Sequence, residues 1–209
     1  MTTISVPKGF KVTPEQFDLL AETEQLARME LTEAGELIVM SPTGGEAGRK
    51  NFNLYLDLGI WNRQAKLGQA FDSSTIFILP NGARRSPDVS WLTESKWNTL
   101  TQKQKEGFPP ITPDFVIELV SPSDLRNQRY EDLQNKMMSD PAPTKGARER
   151  AKMQNYLNNG VQLGWLIEPK AKIVEIYRLG KQVEILNNPQ TLSGEDVLPG
   201  FILDLSEIF

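Results

Sequence analysis

Hydrophobic positions divide this chain into short apolar runs closed by Gly, Pro, Ser or Asn, and longer stretches with apolar residues every three or four positions. The first pattern predicts strands and the second helices. Thr13-Pro14-Glu15-Gln16 predicts a helix start, with Thr13 as N-cap, Pro14 at the first position and the helix running to about Thr23. Arg28–Leu31 and Glu36–Met40 flank Glu33-Ala34-Gly35 as a hairpin. Ser41-Pro42-Thr43-Gly44-Gly45 then breaks the chain. Phe52, Leu56, Gly59 and Ile60 recur at helical spacing after it, and Gly68 is expected to end that long helix. Strands follow around Gln69–Phe71, Thr75–Leu79 and Asp88–Leu92, with a helix over Glu94–Lys105. A strand over Asp114–Val120 precedes helical sequence from Asp124. A further helix spans Arg148–Asn159. Val161–Ile167 and Lys172–Arg178 are strands joined at Pro169-Lys170, and Gln182–Leu186 is a short one. Val197–Phe209 closes the chain with a turn and a last helical turn. Strands mixed with helices in this order predict an α/β (α+β) fold with a mixed central sheet flanked by helices. The expectation is one domain over residues 1–209, with residues 1–43 as an N-terminal helix and hairpin.

One segment reads as inserted. Asp140-Pro141-Ala142-Pro143 ends the helix that follows Asp124. With Met137–Lys152 removed, Leu133-Gln134-Asn135-Lys136 joins Met153-Gln154-Asn155-Tyr156-Leu157 with its apolar residues on one helix face. Two ordinary helices with a loop between them are the alternative.

Glu118 changes the picture from fold to chemistry. It interrupts Asp114-Phe115-Val116-Ile117-Glu118-Leu119-Val120, an apolar run that predicts a central strand. A carboxylate there is costly to bury without a partner or a metal. Asp88 opens another apolar strand. An acidic pair on two strands can hold a hard divalent cation. The blander readings are an edge-strand Glu118 facing solvent and a Pro-Asp turn at Asp88. Asp114 could add a ligand or simply make a turn. Glu46 could reach a metal from the start of the long helix, or complement the helix dipole there. Lys136 and Lys152 each precede Met, and either could stabilise charge developing on phosphate. A surface position is the default for each. Lys145, Arg148, Arg150 and Lys152 form a basic cluster that could touch a nucleic-acid backbone or line a solvated loop.

Composition then excludes much. The chain has no cysteine and no histidine. Disulfides, thiolate or imidazole metal sites and a Ser-His-Asp triad are therefore impossible. Any metal is held by oxygen, which favours Mg²⁺ or Mn²⁺. Residues 1–11 lack the apolar core of a signal peptide. No apolar run approaches the roughly 18 residues of a membrane span. These features suit a cytoplasmic protein with no membrane partner. The net charge of −4 argues against a DNA-coating protein but not against a nuclease with a local basic cleft.

The surrounding text resembles a known family. Met40-Ser41-Pro42-Thr43-Gly44-Gly45-Glu46, Ser86-Pro87-Asp88-Val89-Ser90, Pro113–Asp124, Gly160–Ile167 and Leu198-Pro199-Gly200-Phe201 together are similar to the Uma-two family of restriction endonucleases. That family, abundant in cyanobacteria, falls within the PD-(D/E)XK nuclease superfamily. The likeness runs from the first helix to Phe209. It implies a restriction-endonuclease-like fold and metal-dependent hydrolysis of phosphodiesters, in DNA. Carried over, Asp88 and Glu118 would be the metal-binding acids and Glu46 the acid from the first core helix. The lysine expected two residues after Glu118 is Val120 here. The resemblance implies a lysine moved to the following helix. Counting from Ser121–Asp124 gives Lys136. Counting back from Tyr156 gives Lys152, the preferred match because its helix runs uninterrupted to Gly160.

The favoured expectation is thus a Mg²⁺- or Mn²⁺-dependent endonuclease. It would act as a homodimer, since duplex cleavage needs two cuts. A nuclease-fold module that only binds nucleic acid or protein is the second reading, and a small-molecule phosphohydrolase the third.

Overall fold

The computed structural model describes residues 9–23, 28–40, 42–120 and 146–209. Within α1 (Pro14–Thr23), the Thr13 N–H donates to Gln16 Oε1 at 2.9 Å and the Gln16 N–H donates to Thr13 Oγ1 at 3.2 Å. This is the reciprocal cap the sequence asks for. β1 (Arg28–Leu31) and β2 (Leu37–Met40) form the expected antiparallel hairpin. They join β4 (Phe77–Ile78) and β5 (Arg84–Arg85) in a four-stranded sheet of order β2-β1-β5-β4. The sequence does not announce β5, because a strand of two arginines carries no apolar signal.

A six-stranded mixed sheet forms the centre. Its order is β10 (Glu184–Asn187), β9 (Ile173–Arg178), β8 (Leu163–Glu168), β7 (Phe115–Leu119), β6 (Val89–Thr93), β3 (Gly68–Asp72). Among the described residues only β7 and β8 pair in parallel. Parallel neighbours need a long crossover, and its described part is α5 (Ala147–Asn158). The helical sequence from Asp124, Lys136 and most of the inferred 137–152 insertion lie outside the described residues.

Alternation sorts the central strands onto two faces. Phe115, Ile117, Leu119, Trp91 and Trp165 pack with Leu54 and Leu58 of α2 (Gly45–Ala65) and with Phe201, Leu203 and Ile208 near the C-terminus. Val116, Val120, Leu92 and Leu166 pack on the other face with Met153, Tyr156 and Leu157 of α5. Glu118 falls between Val116 and Val120, so its strand position directs it toward α5.

The spacing of Phe52, Leu56 and Ile60 marks α2 correctly as a helix, yet these residues are 62%, 42% and 47% exposed, while Leu54 and Leu58 are fully buried. The helix carries two apolar stripes, and only the one that meets the sheet is covered. The single helix over Glu94–Lys105 is two, α3 (Glu94–Trp97) and α4 (Gln102–Glu106), because Thr101 makes a new capping box with Gln104. The C-terminal region contains a pair of short strands, β11 (Thr191–Ser193) and β12 (Ile202–Asp204), each with one buried leucine.

Gly68 does not cap α2. Lys66 takes the left-handed position there, at φ 55°, and its N–H donates to Asn62 O. Gly68 opens β3, where an added Cβ would lie 2.1 Å from Leu92 O and 2.6 Å from the Trp91 ring. Gly68→Ala is therefore expected to destabilise the protein by about 3 kcal/mol, the upper range for overpacking against backbone. An unchanged denaturation midpoint would show that β3 and β6 separate freely. No helix among the described residues is long and apolar enough to cross a membrane.

Candidate active site

Glu118 is buried near the C-terminal end of β7. Antiparallel pairing of β6 with β7 matches Val89 to Ile117, and one further step places Asp88 across from Glu118. Residues so opposed have Cβ atoms about 5 Å apart. Asp88 precedes β6, and its carboxylate replaces a strand carbonyl: the Leu119 N–H donates to Asp88 Oδ2 at 2.9 Å. Asn51 of α2 donates to Asp88 Oδ1 at 3.3 Å.

Helix α5 supplies the cation. Lys152 Nζ lies 2.7 Å from Glu118 Oε1 and 2.7 Å from Glu30 Oε1, and it also donates to Ser86 O at 3.4 Å. Tyr156, one turn on, donates its hydroxyl to the same Glu118 Oε1 at 2.9 Å. Both polar contacts that the described residues make with the Glu118 carboxylate thus fall on one oxygen. Among the described residues Oε2 receives no donor.

Burial pushes the Glu118 carboxyl up to about 8, and the charges of Asp88 and Glu30 add to the rise that Lys152 opposes. Burial also works against charge on Lys152, but Glu118 and Glu30 outweigh it and raise its pKa. For Glu30, Lys152 and Arg85 overcome burial and hold the carboxyl below its ordinary range. The Tyr156 hydroxyl is pushed well up by burial and by the two glutamates.

These shifts set a pH dependence. A carboxyl raised from 4.5 to about 8 is protonated in the folded state over that window. Its contribution to stability is complete below about 4.5 and is lost as pH rises through about 8. Glu30, shifted the other way, acts only toward acid. In EDTA the protein is expected to melt at lower temperature at pH 9 than at pH 6, by a margin that Glu118→Gln removes. Parallel profiles for the two proteins would refute the burial effect.

The other sequence candidates are placed differently. Glu46 begins α2 as expected, but its side chain is 68% exposed and pairs with Arg49 at 3.0 Å and Lys50 at 3.7 Å. Among the described residues no three acidic side chains converge as a metal cage, so Glu46 is not brought to Asp88 and Glu118. Asp114 secures the start of β7, holding Lys96 at 2.6 Å and accepting the Thr93 N–H at 2.9 Å. The basic cluster is split up: Arg150 binds Glu175 with its Nε at 2.7 Å, Lys152 is in the site, Arg148 is exposed, and Lys145 lies outside the described residues. Lys136 is also outside them.

Sequence reasoning missed Glu30, Tyr156 and Asn51. Glu30 sits between Met29 and Leu31, both buried. That alternation reads as an ordinary amphipathic strand with a solvent-facing acid. Only the docking of the small sheet against the site buries its other face.

Residues 14–206 match the family described as "Putative restriction endonuclease", Uma2. The chain belongs to the Uma2 family. As the resemblance implied, the family spans nearly the whole chain. The fold is similar to that of a crystal structure described as a "putative nuclease belonging to DUF820", from Anabaena variabilis ATCC 29413. The TM-score is 0.71 with 20% identity, over 95% of this chain and 97% of that one. No curated protein matches the chain. In this Uma2 chain the acid pair, the α5 lysine and the tyrosine gather at one end of the central sheet.

Proposed function

We propose that the protein is a divalent-cation-dependent endonuclease that hydrolyses phosphodiester bonds in DNA. The observation that carries this reading is the asymmetry of Glu118. One oxygen is fixed by Lys152 and Tyr156, and the other, beside Asp88, receives no donor among the described residues. Family membership supports the reaction class. An all-oxygen pair of carboxylates suits Mg²⁺ or Mn²⁺, which often use only one or two protein carboxylates and complete their shell with water and substrate. Such a cation supplies a Lewis acid for phosphate and water.

The chain's own residues do the rest. Asp88 and Glu118 would hold the cation, with Asn51 and the Leu119 amide fixing the angle of Asp88. Tyr156 keeps Glu118 from rotating. Lys152 places a permanent positive charge where the phosphate gains negative charge. Glu46 is left out of this set. Two copies acting on opposite strands would cut a duplex, which makes a homodimer the working assembly.

The test is incubation of supercoiled plasmid with the protein in Mg²⁺ or Mn²⁺, beside an EDTA control. Metal-dependent nicking is expected. Intact plasmid with well-folded protein in both metals would overturn the nuclease reading in favour of a binding-only module.

A further inference from the structure

An ammonium group has three N–H donors. Those of Lys152 face three acceptors: Glu118 Oε1, Glu30 Oε1 and the Ser86 carbonyl. The two carboxylates are not equivalent. Among the described residues no donor reaches the second oxygen of Glu118. Glu30 has no oxygen to spare, because its Oε1 also accepts the Ser86 N–H at 3.0 Å and its Oε2 accepts Arg85 Nη1 at 3.2 Å. Glu30 is 2% exposed and is built into the small four-stranded sheet, whereas Glu118 belongs to the central sheet and Lys152 to the helix α5 packed on it. Ser86 and Arg85 lie just before Asp88, so the same short segment that locks Glu30 also delivers the second acid of the site.

We propose that Glu30 is the positioning residue for Lys152: it anchors the ammonium so that Glu118 can turn its charge to a divalent cation without the lysine being expelled or competing for it. This inference rests on the nuclease reading above. A dication near Glu118 repels an ammonium a few ångströms away and draws off the charge that attracts it. A lysine held only by Glu118 and a carbonyl would then have to leave or block the cation. The fixed charge of Glu30, which the cation does not share, removes that conflict. Lys152 can therefore stay charged and close to the reacting phosphate. Glu30 itself touches neither cation nor substrate in this arrangement.

The experiment is a double-mutant cycle read as Mn²⁺ affinity by titration calorimetry, with no substrate present. It uses the full chain, Glu30→Gln, Lys152→Met, the double variant and Glu118→Gln as control. Glu30→Gln is expected to weaken Mn²⁺ binding roughly tenfold, within the usual range for coupled sites. The loss should vanish in the Lys152→Met background, because no lysine remains to compete. A Glu30 that serves only the fold would lower the melting temperature without this dependence on Lys152. If Glu30→Gln does not fold, Glu30→Asp, which keeps the charge but withdraws it, is titrated in the same cycle. Unchanged affinity in a folded Glu30 variant, or an equal loss in both backgrounds, overturns the role of Glu30 alone. Absence of Mn²⁺ binding by the unmodified protein overturns the nuclease reading and this inference with it.

Discussion

Glu118→Gln is expected to lose metal-dependent plasmid nicking by about 10²–10³-fold or more, the range seen when one electrostatic group is removed from an active site, while melting no lower than the unmodified protein. The substitution keeps the shape of the side chain and an acceptor for Tyr156. It removes only the charge that a cation needs. Lys152 retains Glu30 as counter-ion at 2.7 Å, so no buried ammonium is stranded. Burial already disfavours charge on Glu118, so neutralising it costs the fold little and at alkaline pH relieves it. The measurement is the initial nicking rate at saturating Mn²⁺, paired with a thermal melt. Nicking at the original rate would remove Glu118 from the site. A large drop in melting temperature would instead mark it as structural.

Lys152→Met is expected to fail in both respects. It deletes the charge shared by two buried carboxylates, Glu30 and Glu118. Breaking a buried ion pair from one side typically costs about 3–5 kcal/mol, because the remaining charge keeps its desolvation penalty. The carboxylates can escape that penalty by taking up protons, which raises their pKa in the folded state. The sign follows: the penalty from the raised carboxyls is absent below about 4.5 and greatest above the raised values, while the stability that Glu30 gains from Lys152 in the unmodified protein is lost only as pH falls through its lowered value. Denaturant titrations at pH 5 and pH 8 should show a much smaller deficit at pH 5. Equal deficits would mean that Lys152 acts through packing over Tyr156, whose ring centre lies 5.8 Å from Nζ, and not through charge. Nicking should also fall, even when assayed well below the melting temperature.

The sequence exposes some of this site and hides the rest for physical reasons. Glu118 is visible because a charge inside an apolar strand has no routine explanation. Asp88 gains meaning only from its partner, since a Pro-Asp strand start is common. Lys152 is reached by counting along a resemblance, which a break near Asp140 leaves open between two lysines. Its position beside Glu118 is a fact of α5 packing that no local pattern states. Glu30 carries no signal because the small sheet hides a face that alternation assigns to water. The helix α2 shows what spacing leaves undecided. Phe52, Leu56 and Ile60 have the spacing of a core stripe, yet Leu54 and Leu58 are the buried residues, and spacing alone cannot rank two stripes on one helix. Gly68 stands out in the sequence as a helix stop, but close approach of β6, not a left-handed cap, is what excludes a side chain there.

The Arg85–Ser86–Glu30 lock also sets where this protein can be cut. A chain trimmed to begin at α2 would retain every strand of the central sheet, both acids of the proposed pair and the α5 lysine. It would still leave behind the carboxylate that neutralises that lysine from the other sheet. The β1–β2 hairpin is therefore inside the smallest unit that can be expected to work, although it contributes no strand to the central sheet. For the same reason, grafting the central sheet's site onto another scaffold would require importing a charge from a layer that the site's own motif does not contain.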